Sequence, residues 1–225
     1  RHLVLQYVMN LPSRVLVDKA EQLTPYIGTE YTDFNKLLLE ASEDTLWKTY
    51  EDVVGDVNRD GFNALEFQKS KKLLGRLIDI GSYGKQEVEK TLQQELGEKF
   101  FSVFGILAVR AVGLLQLNEY IPTLVSLLDR EEEILLEELA VALSSFQTDD
   151  VVEAVAPYAM KNETCIYAAS ILKETKTEKA IEVLVKSYDK LDESGKETVI
   201  ESLTAQLTEQ AFPLIEDYLH NGYHG

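Results

Sequence analysis

Hydrophobic residues recur at helical spacing along almost the whole chain, and from about residue 105 the pattern itself recurs. Ile121-Pro122-Thr123-Leu124, Val152-Glu153-Ala154-Val155, Ile181-Glu182-Val183-Leu184 and Phe212-Pro213-Leu214-Ile215 begin at intervals of 31, 29 and 31 residues. A helical unit repeated about every 30 residues is the signature of stacked helix pairs, each burying one side against its neighbours. The predicted pairs are 85–96 with 98–116, 120–128 with 131–146, 149–160 with 163–173, and 178–191 with 195–207. Residues 210–219 open a fifth pair. The links, such as Gln147-Thr148-Asp149 and Lys176-Thr177, are short and polar. Links of that length make successive helices antiparallel neighbours. The second helices repeat as well, with Leu143 aligning on Leu172 and Leu203.

Before residue 83 the spacing is helical but not repetitive. Leu3 to Met9 reads as a short helix, and Ser13 is placed to cap a second through Val15, Leu16 and Leu23. Thr24-Pro25-Tyr26-Ile27-Gly28 reads as a break. Further helices are predicted over 31–41, from Ser42 to Val54, and over 64–80. The middle one presents Leu46, Trp47, Tyr50, Val53 and Val54, and Gly55 is expected to end it in a loop running to Asn63. Gly81-Ser82-Tyr83-Gly84 is the clearest boundary. It divides an N-terminal helical segment, 1–82, from a repeat region, 83–225.

Within the repeat region a second helix ends in small residues and leucine, Ala140-Val141-Ala142-Leu143, and first helices open as Ile121-Pro122-Thr123-Leu124 does. Pro122 and Pro213 stand early in their helices, where a missing N–H costs little, whereas Pro157 falls late and should bend or end its helix. Over about Lys85 to Leu219 these features resemble the HEAT-repeat family, including the variant of phycobilisome lyases. An arginine or aspartate often repeated on that family's inner face is not repeated here. The resemblance implies an all-α fold, a curved right-handed α-solenoid of antiparallel helix pairs, with the second helices lining the concave face. Arg110, Val141, Ser170 and Glu201 then occupy equivalent positions on that face, and Glu137, Glu138 and Tyr167 lie one turn earlier. These seven are the candidate protein-binding residues. The implied function is a non-enzymatic interaction scaffold for a protein or peptide partner. The alternatives are a HEAT-like enzyme, of chromophore-lyase or DNA-repair glycosylase type, and a calcium-dependent interaction module.

Charge narrows the partners. The chain carries 39 acidic against 22 basic residues, a net charge of −17. Such a surface repels phosphate backbones and anionic lipid, so neither nucleic acid nor membrane is expected. The longest apolar candidate, 100–117, is interrupted by Ser102, Arg110 and Gln116, short of the roughly 18 residues of a membrane span. Cys165 is the only cysteine, which fits a reducing, cytoplasmic setting. The chain opens at Arg1 inside an apolar pattern of Leu3, Leu5 and Val8, so a longer parent protein is expected.

Chemistry-bearing motifs are sparse. Asp56-Val57-Asn58-Arg59-Asp60-Gly61 has the oxygen spacing of a calcium loop, yet Glu66 falls one residue short of the closing position. An ordinary polar turn is the preferred reading, and no metal site is assigned. His220 and His224 are four apart but separated by Asn221-Gly222, and His2 is isolated. No catalytic set and no cofactor site follow. Cys165 reads as a plain helical cysteine, and the acids from Asp129 to Glu133 as a solvated helix start. Trp47, Phe100, Phe101 and Phe104 stand at core-like spacing. Phe212, Ile215 and Tyr218 continue the apolar stripe with no second helix after them, so the missing cap is expected to be either further sequence of the parent protein, which the absent methionine at Arg1 favours, or a partner subunit associating through the C-terminal end.

Overall fold

The computed structural model describes residues 7–222, and all their side chains except those of Asp60 and Asn221. Among the described residues the regular elements are helical and none is a strand. The chain forms two compact units, which meet in sequence between Tyr83 and Gly84.

In the N-terminal unit, residues 7–9 are helical. Five helices follow: α1 Ser13–Asp18, α2 Ala20–Ile27, α3 Thr29–Glu40, α4 Glu43–Asp60 and α5 Ala64–Asp79. Helix α1 packs on α3, α4 packs along α5, and α3 also touches α5. Leu16, Leu38, Leu46, Val54, Leu73, Leu74 and Leu77 form the buried centre. Ser42 caps α4 by accepting from the Thr45 N–H, and Asn63 caps α5 by accepting from Leu65 and Glu66. Trp47 stacks on Tyr83 at 5.7 Å between ring centroids, and Tyr50 meets both rings edge-on. The indole N–H donates to Ser82 Oγ at 2.6 Å.

Three expectations change here. Gly55 does not end α4, because the apolar spacing runs another turn to the buried Val57; the helix stops at Gly61, whose φ is 92°. Pro25 lies inside α2 rather than at a break, and the terminator is Gly28, with φ 84°. The Ser13 helix is interrupted at Lys19, so α1 and α2 are separate. Of the helix expected from Leu3 to Met9, residues 3–6 lie outside the described residues.

The C-terminal unit holds α6 Lys85–Glu95, α7 Val103–Leu114, α8 Ile121–Ser126, α9 Glu133–Ser144, α10 Asp149–Ala159, α11 Cys165–Glu174, α12 Glu178–Tyr188, α13 Glu193–Ala205 and α14 Ala211–Asp217. Short 3-10 turns flank α8, and a π-helical turn follows α14. Helices α7, α9, α11 and α13 contact one another in succession, as do α8, α10, α12 and α14. The repeat explains this: Val112, Leu143, Leu172 and Leu203 are equivalent and fully buried, as are Leu124, Val155 and Leu184. Pro157 lies inside α10, which ends two residues later. Gly113 permits a close approach of two helix backbones, since a Cβ there would come within 2.7 Å of the Ala142 Cα.

The expected start of the second helix at residue 98 is corrected to Val103. Side chains satisfy the intervening backbone instead. The Arg130 guanidinium donates to the carbonyls of Glu98 and Lys99, Glu132 accepts from the Phe101 N–H, and Glu95 accepts from the Ser102 N–H. Phe100 is exposed, contrary to the core expected of it, while Phe101 is buried under Arg130.

Candidate functional site

The seven predicted residues lie on α7, α9, α11 and α13, and their surroundings differ. Arg110 and Glu138 are tied to each other, with Arg110 Nη1 2.6 Å from Glu138 Oε2 and the carboxylate buried. Arg110 is therefore not a free cation on this face. Tyr167 is half-buried, and its hydroxyl pKa is raised, first by burial and then by the charges of Glu133 and Glu137. Its ring therefore feels the acids of α9. Ser170 and Glu201 share a groove of about 420 Å³ between α11 and α13, with Ile166, Lys173 and Thr198. Glu137 and Glu201 are exposed.

Val141 proves to be part of a line that periodicity alone does not reveal. Leu114 on α7, Val141 on α9 and Ile166 on α11 are 49%, 50% and 58% exposed. Measured against the equivalent positions Arg110, Val141 and Ser170, they stand one turn after, level, and one turn before. Three helices that contact one another in turn, α7, α9 and α11, thus offer one large apolar side chain each, stepping one turn per repeat along a diagonal. Leu114 and Ile166 escape notice in the sequence because each sits beside core residues of the same type. Their exposure in the structure shows that they point away from the core.

A second group was not anticipated. Gln116 Nε2 donates to Gly113 O and, across to the next repeat, to Ser145 O. Gln147 Nε2 likewise reaches Ser144 O and Glu174 O, and its Oε1 accepts from the Lys176 N–H. Gln206 Nε2 donates back to the carbonyls of Leu172 and Lys173. These amides bond helix-end carbonyls and stitch neighbouring repeats. Gln116 and Gln147 do so from a left-handed backbone, each at φ 54°.

The remaining candidates carry little chemistry. Asp56 lies in α4 and pairs with Arg59, so the opening of the supposed calcium loop is helical. Among the described residues no group of three His, Cys, Asp or Glu could hold a metal ion. Cys165 is buried, and burial followed by the Asp192 charge raises its thiol pKa, away from reactivity. His220 Nδ1 lies 2.7 Å from Glu216 O, whereas His2 and His224 are outside the described residues. At the C-terminal end Phe212, Leu207 and Leu219 are exposed, and Ile215 and Tyr218 are partly covered. No helix among the described residues is long and apolar enough to cross a membrane. No family model, curated protein or solved structure matches this chain.

Proposed function

We propose that this chain is a non-enzymatic protein-interaction scaffold whose C-terminal unit is a HEAT-like α-solenoid. The diagonal of Leu114, Val141 and Ile166 supports this reading most directly. Large apolar groups about half exposed on three neighbouring helices, α7, α9 and α11, suit the anchors of a docked protein segment, where a few buried side chains carry most of the affinity. The flanking Glu137 and Glu201 favour a basic segment. The succession of contacts α7 to α13 and α8 to α14 fits the stacked helix pairs of such a fold. The pairing of Arg110 with Glu138 leaves no free cation among the seven residues for a phosphate backbone, which disfavours the glycosylase alternative.

A photo-crosslinking residue placed at 141 or 166, compared with one at Lys186 on α12, tests the site. The expected result is one predominant protein adduct from 141 and 166 and none from 186. The purified partner should then lose at least about tenfold in affinity to Val141→Glu and to Ile166→Glu. Equal crosslinking from all three positions, or unchanged affinity in both variants, overturns the reading.

A further inference from the structure

The N-terminal unit contains a cleft of about 410 Å³ that its neighbours do not explain. Lys72, Gly75, Arg76 and Asp79 form its floor on one face of α5, Leu38 and Leu39 come from α3, and Leu11 and Arg14 close the other side. That volume falls within the range of small-molecule sites, about 300–1,000 Å³. The cations are the first unusual feature. Lys72 Nζ donates only to neutral oxygens, Leu11 O at 2.9 Å and Asn35 Oδ1 at 3.0 Å. The Nε of Arg76 is enclosed and has no hydrogen-bond partner. Among the described residues neither cation, nor Arg14, has a carboxylate within ion-pair distance, in a chain whose net charge is −17. Burial also holds the Lys72 pKa down, to about 8, as expected of an ammonium lacking a counter-charge.

Gly75 is the second. It stands in the interior of α5, where glycine costs about 1 kcal/mol relative to alanine. Neither a positive φ nor a close neighbour requires it, since a Cβ there would meet nothing within 4 Å. What the glycine does is keep the floor of the cleft open between the two cations. Leu11 and Leu39 are exposed and supply an apolar wall. Asp79 places a negative charge in the same cleft.

We propose that this cleft binds a small organic monocarboxylate, its carboxylate held by Lys72 and Arg76 and its apolar body lying over Gly75 against Leu11 and Leu39. The guanidinium fork suits a planar carboxylate, and a charge-assisted hydrogen bond is about twice as strong as a neutral one. Asp79 disfavours a second negative charge, so a phosphate monoester fits less well.

Calorimetry on the full chain tests it, with octanoate as the probe and 1-octanol and inorganic phosphate as comparisons. Octanoate is expected to saturate one site, and the other two compounds to show no binding at the same concentrations. Lys72→Gln and Gly75→Leu should each weaken octanoate at least about tenfold, while Lys36→Gln, an exposed change on α3, leaves it unchanged. Gly75→Leu removes no hydrogen bond, so it separates loss of the site from loss of the fold, and Trp47 fluorescence verifies the fold of each variant. Absence of saturation by about 10 mM octanoate, equal binding of phosphate or octanol, or unchanged affinity in a folded Gly75→Leu overturns the proposal.

Discussion

The two units solve the problem of burying helices in opposite ways. In the C-terminal unit several stabilising features have a counterpart about 30 residues on: the buried Leu143, Leu172 and Leu203, the amides of Gln116 and Gln147, and side chains that tie one link to the next. Arg130 reaches back to Glu98 and Lys99, and Asn162 reaches forward to the Asp192 N–H. In the N-terminal unit the key contacts occur once. Trp47 reaches Ser82, Lys72 reaches Leu11, and the buried Lys69 ammonium bonds Glu30 and Glu66. Burial works against the Lys69 charge, but those two hydrogen bonds outweigh it and raise the pKa. The charge balance differs as well. Residues 84–225 hold 26 acidic against 12 basic side chains, and residues 1–83 hold 13 against 10. Repetition thus accompanies an acidic exterior, and the unique contacts accompany buried cations.

The largest contrast should come from two helix-interior glycines. Gly113→Ala pushes a methyl group against the Ala142 backbone, which cannot move without shifting α9. It should destabilise the C-terminal unit by about 3 kcal/mol. Gly75→Ala meets open space and should stabilise the N-terminal unit by about 1 kcal/mol. Trp47 is the chain's only tryptophan, so its fluorescence reports the N-terminal unit, while hydrogen exchange follows α7 and α9. A Gly113→Ala chain with unaltered protection in α9 would remove close approach as the reason for that glycine.

A smaller effect separates the two roles of Gln147. Its amide bonds are worth about 1 kcal/mol in all, and its left-handed backbone costs about 1–2 kcal/mol in any residue with a Cβ. Gln147→Ala loses the bonds and keeps the strain, so about 1 kcal/mol of stability should disappear in urea unfolding. Gln147→Gly loses the bonds but relieves the strain, so it should lie close to the parent. Equal losses in both would show that the left-handed backbone at Gln147 carries no measurable conformational cost.

Legibility in the sequence follows the same division. The first and second helices after residue 120 stand out because equivalent positions, such as Leu143, Leu172 and Leu203, must all be buried. The boundary near Gly81–Gly84 stands out because glycine and serine punctuate it. The late start of α7 does not, because its cause is Arg130, some 30 residues away, claiming carbonyls that a helix would otherwise use. The extra turn of α4 was readable in principle, since Val57 continues the spacing of Tyr50 and Val54, but Gly55 masked it. At the candidate interface, phase alone places Glu137 and Glu201 in solvent. It does not show that Arg110 would pair with Glu138, because that contact joins two helices across 28 residues. The cleft of the N-terminal unit was illegible, since Leu11, Leu39 and Arg76 share no motif.

The smallest expected effect concerns Lys72 and the pH dependence of the N-terminal unit. The lysine pKa is about 8 in the folded chain, lowered by burial, against about 10.4 when unfolded. Between those values the unfolded chain binds the proton and the folded chain does not, so stability rises with pH across that window. Below pH 8 both states are protonated, and the folded state carries the full cost of an ammonium partly removed from water. That cost should be at most about 1 kcal/mol, because part of the side chain still meets solvent. Lys72→Met removes the titration. The stability of the parent relative to Lys72→Met, followed by Trp47 fluorescence in urea, should therefore increase from pH 8 to pH 10 and be flat from pH 6 to pH 7.5. Other lysines and tyrosines titrate in both chains and cancel in the difference. If the cleft holds a monocarboxylate, saturating octanoate should flatten the rise, because a bound anion restores the ammonium and returns its pKa toward the ordinary value. A difference that stays constant from pH 6 to pH 10 would mean that Lys72 is no more buried than a surface lysine, and the contrast between a buried cation without a carboxylate partner in one unit and the Arg110–Glu138 pair in the other would fail.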